Sequence, residues 1–162
     1  AAEVLSGPFD VVYVSWGALN WLPDITRWAE VVAALLAPAG FIYLLEGHPA
    51  AMTLEQMENG HLQPCYTYFH GTDPLAFDEP LTYTGDSDRL VNTRIYEWIH
   101  PLSAVIGALS TAGLRLDFLH EHDRLAWAMF PMMEADGEGM FRLPAGHPSL
   151  PLAYSLKAVK PG

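Results

Sequence analysis

FDVVYVSWGALNWLPDITRWAEVVAALLAPAGFIYLLEGH, residues Phe9 to His48, decides how the rest of the chain is read. Phe9 to Ser15 is a short apolar run, rich in β-branched and aromatic residues and without a helical period. That predicts a strand buried on both faces, as in a parallel sheet. Ser15-Trp16-Gly17-Ala18 breaks the run. Pro23 and Asp24 then open a helix, with Asp24 placed to cap it. Ile25, Trp28, Ala29, Val32 and Leu36 recur at the spacing of a single helical stripe, which would face a core. Pro38-Ala39-Gly40 stops the helix, and Phe41 to Leu45 is a second apolar strand. Strand, helix and strand in so short a span make a βαβ unit with a right-handed crossover. In open α/β sheets, ligands bind beyond the carboxyl ends of the parallel strands, and both Ser15-Trp16-Gly17 and Glu46-Gly47-His48 sit at such ends.

Working outward, residues 50–99 are irregular. Leu54 to Glu58 is read as one helical turn, Tyr66 to His70 as a short aromatic strand, and Thr93 to Ile99 as another strand. Pro101 starts a helix whose Leu102, Val105, Ile106 and Leu109 form one stripe, and Gly113 is placed to end it. Leu114 to His120 and Pro151 to Val159 are strands, separated by a loop carrying Trp127, Met129, Phe130, Met132, Met133, Met140 and Phe141.

These residues resemble the second half of a class I S-adenosylmethionine-dependent methyltransferase. In that family FDVV opens the fourth strand, a phrase like SWGALNWLPD follows it, and a phrase like LLAPAG introduces the fifth. The likeness continues downstream over most of the chain. It implies an α/β fold: a partial Rossmann-like sheet with strands equivalent to 4, 5, 7 and 6 in that order, helices on its faces and a small antiparallel insertion. Residues 1–162 would then form a single domain, with 50–99 as the acceptor-side insertion. No GxGxG motif and no acidic residue ending a second strand accompany the resemblance. The expectation is therefore the C-terminal half of a longer protein, a truncated domain that is inactive alone.

The 162 residues suffice for one domain with a real core, and 51% of them are hydrophobic, which argues against disorder. The net charge of −11 disfavours nucleic acid and anionic membranes as partners. A single cysteine, Cys65, builds neither an internal disulfide nor a zinc site and fits a reducing cytoplasm. No run is long and apolar enough for a membrane span, and no signal peptide is visible. The motifs of serine hydrolases, dithiol redox proteins and P-loop nucleotidases are missing.

What the resemblance implies about sites follows. Ser15, Trp16, Gly17, Asn20 and Trp21 would contact S-adenosylmethionine, since in the family the segment after the fourth strand meets its methionine moiety and methyl group. Methyl transfer demands alignment more than acid–base power, and a tryptophan face can stabilise a cation. The alternative for Trp21 is packing under the helix start. His48 is the candidate general base, imidazole titrating near neutrality, or else a turn histidine before Pro49. Tyr68, Phe69, Trp98, His100 and Phe130 would line the pocket for a small-molecule methyl acceptor, with Glu97 close by. His120 and His122 alternate on a strand but lack a third partner, so no metal site is read there. Asp73, Asp78, Glu79, Asp86 and Asp88 form a loose acidic patch, either a solvated loop or a surface for a cationic substrate. The rival from another class is a non-catalytic association domain. If the first strand is an open hydrophobic edge, it pairs with another chain, which predicts a homodimer through that edge.

Overall fold

The parallel pairing expected from the opening stretch organises the sheet. The structure, a computed structural model, describes residues 4–5, 7–69, 71–80 and 90–162. Strand β1 (Phe9–Ser15) runs parallel to β2 (Leu36–Gly47), with Val11 opposite Phe41 and Ser15 opposite Leu45. Helix α1 (Ile25–Leu35) makes the crossover. Its cap is Asp24, whose Oδ1 accepts the Arg27 amide at 2.8 Å. The helix ends three residues before Pro38, and Leu36 already belongs to β2, where it is buried. The Lys160 ammonium closes that end, donating to the carbonyls of Ala33 at 2.8 Å and Leu36 at 2.7 Å. Gly40 has a steric reason. A Cβ there would come within 2.9 Å of the Ala37 carbonyl oxygen and 3.0 Å of those of Phe9 and Asp10.

The remaining strands are β3 (Leu54–Gln56), β4 (Leu62–Pro64), β5 (Leu75–Asp78), β6 (Arg94–Glu97), β7 (Arg115–His122), β8 (Glu134–Ala135), β9 (Phe141–Arg142) and β10 (Ala153–Val159), with helix α2 at Leu102–Thr111. The main sheet has the order β1-β2-β10-β7, and β10 is antiparallel to both neighbours. This is the arrangement that the 4, 5, 7, 6 equivalence implies. Helix α2 ends in a Schellman motif: Leu114 donates to Leu109 O and Gly113, at φ +86°, donates to Ser110 O, both at 3.0 Å.

Both helices lie on one face of the sheet. Ala29 and Val32 of α1 and Val105 and Leu109 of α2 pack with Ile42, Leu44, Leu156 and Ala158 into the main core. The expectation that β1 is buried on both faces is wrong. Val12 and Val14 pack against the core, but Val11 and Tyr13 on the opposite face are 48% and 63% exposed. An apolar run without alternation does not distinguish a strand covered twice from one whose second face stays open. On that second face a smaller core of Leu125, Phe130, Met133, Leu152 and Ala153 covers only the end of the sheet where β2 finishes.

Residues 50–99 depart from the expected elements. Leu54–Gln56 is a strand rather than a helical turn, and it pairs with β4; a 3-10 turn occupies Ala51–Thr53 just before it. Residues 66–69 form no strand. The aromatic run instead contributes single contacts: Tyr66 hydrogen-bonds Glu55, and the Tyr68 hydroxyl accepts the Leu102 amide at the start of α2 at 3.2 Å. The strand expected at Thr93 to Ile99 is present as β6, paired antiparallel with β5.

Candidate functional site

Beyond the carboxyl ends of β1 and β2 the chain leaves a cleft of about 220 Å³. One wall is the turn after β1, from Gly17 to Asn20, with Glu46, Gly47 and Pro49 after β2. The other is Glu97 and Trp98 from the insertion and His100 just after it, with Trp127 and Met129 from the loop after β7. Met52 and Tyr154 complete it.

The first wall is built around Glu46. Its side chain lies on the helix-covered face and is 5% exposed. Its carboxylate receives the amides of Gly17 and Ala18 at 2.6 Å and of Leu19 at 3.0 Å. A buried carboxylate held by several amides is fully satisfied. Gly17 makes the turn possible at φ +75°. The three amides are thereby committed within the protein and do not face a ligand.

The second wall docks on the first. The Trp98 amide donates to Asn20 O at 2.9 Å, and the His100 ring bonds Leu22 O through Nε2 at 2.8 Å. The carbonyl only accepts, so Nε2 carries the proton. The Trp98 indole N–H is taken by Thr72 O at 2.9 Å. Glu97 shares a hydrogen bond with the Asn20 side chain. Burial raises the Glu97 pKa above the ordinary carboxylate range, the Asn20 bond opposes the shift, and Glu79 adds to it. Asn20 Oδ1 is buried and has no hydrogen-bond partner among the described residues. Burial, then the nearby Glu46 and Tyr68, raise the Tyr154 hydroxyl pKa, which keeps it neutral.

The structure brings some sequence-stretch candidates to the cleft and keeps others away. Gly17, Asn20, Trp98 and His100 line it. Ser15 is a strand residue opposite Leu45 and does not reach it. Trp16 turns to the open face, where its ring meets Trp127 edge-on at 5.5 Å, so it braces a lining residue instead of lining the cleft itself. Trp21 is 48% exposed and outside the cleft.

His48 is not placed as a base. It is 4% exposed and outside the lining, and its Nδ1 accepts the Ala50 amide at 3.1 Å. Its Nε2 lies 3.0 Å from Glu121 Oε1 but poorly aligned for a hydrogen bond. Burial lowers its pKa, only partly opposed by Glu121. Phe130 is a core residue at 2% exposure, Phe69 is 78% exposed, and Tyr68 is occupied at the start of α2. His122 is engaged with Ser155 Oγ at 2.9 Å, and no metal-binding cluster occurs among the described residues. In the acidic patch Asp78 pairs with Arg94 at 2.9 Å, while Asp86, Asp88 and His70 lie outside the described residues. Sequence reasoning missed Trp127, Met129, Met52 and Tyr154 as lining residues. Only the density of aromatic and thioether residues after β7 hinted at the first two.

No family model matches the chain, and no curated protein matches it. Solved structures do. A putative S-adenosylmethionine-dependent methyltransferase from Listeria monocytogenes superposes with TM-score 0.64 at 15% identity, over 100% of this chain and 67% of that one. An S-adenosylmethionine-dependent methyltransferase from Mesorhizobium loti gives 0.57 at 18% identity, over 99% and 67%. One from Methanosarcina mazei gives 0.56 at 16%, over 99% and 65%. The chain thus has a class I methyltransferase-like fold and spans about two thirds of the length of these proteins.

Proposed function

We propose that this chain serves S-adenosylmethionine-dependent methyl transfer to a small-molecule acceptor, with its cleft holding the methyl-bearing end of the donor. The observation that carries the reading is the chemistry of the lining. It presents the aromatic residues Trp98, Trp127 and Tyr154, the thioethers of Met52 and Met129 and the carboxyl of Glu97, and among the described residues it contains no lysine or arginine. Aromatic faces and carboxylates suit a cation, and a sulfonium is one. When bound, the cofactor supplies an electrophilic methyl group.

The protein's contribution is alignment and exclusion of water. Gly17 would meet the donor on the first wall, a narrower set than the five residues the sequence offers, and Asn20 stands beside Glu97 where donor and acceptor meet. Trp98 and His100 would meet the acceptor on the second. A cleft of about 220 Å³ is smaller than the roughly 300 Å³ at which pockets for drug-sized ligands begin. It therefore suits the reacting groups and not a whole nucleoside cofactor.

Calorimetric titration of the folded chain with S-adenosylmethionine tests this. Saturable binding is expected, and a folded sample that shows none overturns it. A second reading, the non-catalytic association domain, draws on one observation: β1 ends the sheet with Val11 and Tyr13 exposed. A homodimer through that edge is its expected form, and a monodisperse monomer in light scattering would count against it.

A further inference from the structure

We propose that the cleft selects an acceptor bearing a primary amine, received by Glu97 and by the side-chain oxygen of Asn20. The proposal rests on the methyl-transfer reading for the word acceptor, and on the cleft's own hydrogen-bonding inventory for the amine.

That inventory is lopsided. Trp98 Nε1 is spent on Thr72 O, and His100 Nε2 on Leu22 O. Among the described residues the lining holds no lysine or arginine, and the Trp127 indole and the Tyr154 hydroxyl are the neutral side-chain donors left besides the Asn20 amide, which is turned to Glu97. A carboxylate or phosphate would enter with little to neutralise or bind it.

Acceptors are in surplus. The carboxylate of Glu46 is occupied by three amides, but among the described residues that of Glu97 has only the Asn20 bond. Asn20 Oδ1 is buried, and no described residue donates to it. A ligand hydrogen would satisfy an acceptor in this condition. Glu97 and Asn20 are joined to each other, so one ligand nitrogen carrying several hydrogens can serve both. An ammonium has three donors and the matching charge, whereas a hydroxyl has one donor and no charge. Burial raises the Glu97 pKa, and a cation seated beside its carboxylate would oppose that shift.

The test uses three matched probes on the whole chain by calorimetry: 2-phenylethylamine, 2-phenylethanol and phenylacetate, each with and without S-adenosylhomocysteine. The amine should bind at least about tenfold more tightly than either analogue. Glu97→Gln, which keeps the shape and removes the charge, should erase that preference, Glu97→Asp should keep part of it, and Asn20→Ala should reduce it. Circular dichroism checks that each variant is folded. Equal binding of the three probes, no binding of the amine, or a preference unchanged in folded Glu97→Gln overturns the proposal. If Glu97→Gln weakens S-adenosylhomocysteine by the same factor as the amine, the subsite serves the cofactor's own ammonium and the proposal also falls. If S-adenosylhomocysteine does not bind while the Glu97-dependent amine preference stands, the amine subsite holds and the methyl-transfer reading fails instead.

Discussion

The two walls of the cleft are built by different means. The wall at the ends of β1 and β2 is fixed by one buried carboxylate, Glu46, which holds three consecutive amides. The wall formed by the insertion is held to it by two bonds to carbonyls, from the Trp98 amide to Asn20 and from the His100 ring to Leu22. The first wall spends its polar groups on its own rigidity. The second brings Glu97 against Asn20, whose side-chain oxygen has no partner among the described residues, and there polar capacity is kept for something else. A lining carboxylate is thus not evidence of a binding role until its partners are counted.

The largest effect expected from this contrast is at Glu46. Glu46→Ala leaves three amides without their acceptor and should cost on the order of 3 kcal/mol, read from urea unfolding. A loss below about 1 kcal/mol would break the distinction between the walls. Next is Trp127→Ala. Removing one aromatic face from a bound cation should weaken S-adenosylmethionine by about fivefold, close to 1 kcal/mol, in calorimetry; an unchanged affinity would take Trp127 out of the donor's reach.

His48 sharpens the contrast from the side of the scaffold. Its folded pKa is lowered from 6.5, so below that value the unfolded chain binds the proton more readily than the folded one. Stability should therefore fall as the pH drops from about 7 to about 5, and His48→Gln should flatten that fall. Melting curves across this range decide it, and equal slopes for both proteins would show that His48 does not titrate as a buried group. The smallest effect is expected at Tyr13. Tyr13→Ser on the exposed face should change stability by less than about 0.5 kcal/mol. If the β1 edge mediates self-association, the same variant should move the light-scattering mass toward the monomer, and a dimer that persists unchanged would locate the contact elsewhere.

Much of the frame was legible because local chemistry forces it. Asp24 caps α1 as its residue type and position require, Gly113 ends α2 at positive φ, and Gly40 sits where carbonyls crowd any side chain. The insertion was less legible. Leu54–Gln56 carries no strand signature of its own and becomes one by pairing with Leu62–Pro64. The residues 66–69 have strand composition, yet Tyr68 is used at the start of a helix. Composition states a preference, and a distant partner overrides it.

The site shows the same division. The position of Gly17 after β1 followed from topology, because strand ends are where parallel sheets open, and that of Asn20 from the family resemblance. His48 stands at such an end as well, and only the fold turned its ring toward Glu121 and the Ala50 amide, away from the cleft. The sequence by itself determined the βαβ unit and the end of the sheet where its strands open, since these depend on periodicity, caps and turns that neighbours in the chain settle, and the strand order came from the family resemblance. The tertiary structure alone decided which carboxylate is saturated and which is not, which tryptophans face the cleft and which face of β1 stays open. Those depend on groups brought together from 27 residues apart, as with Leu19 and Glu46, or more, and no local pattern encodes such a meeting.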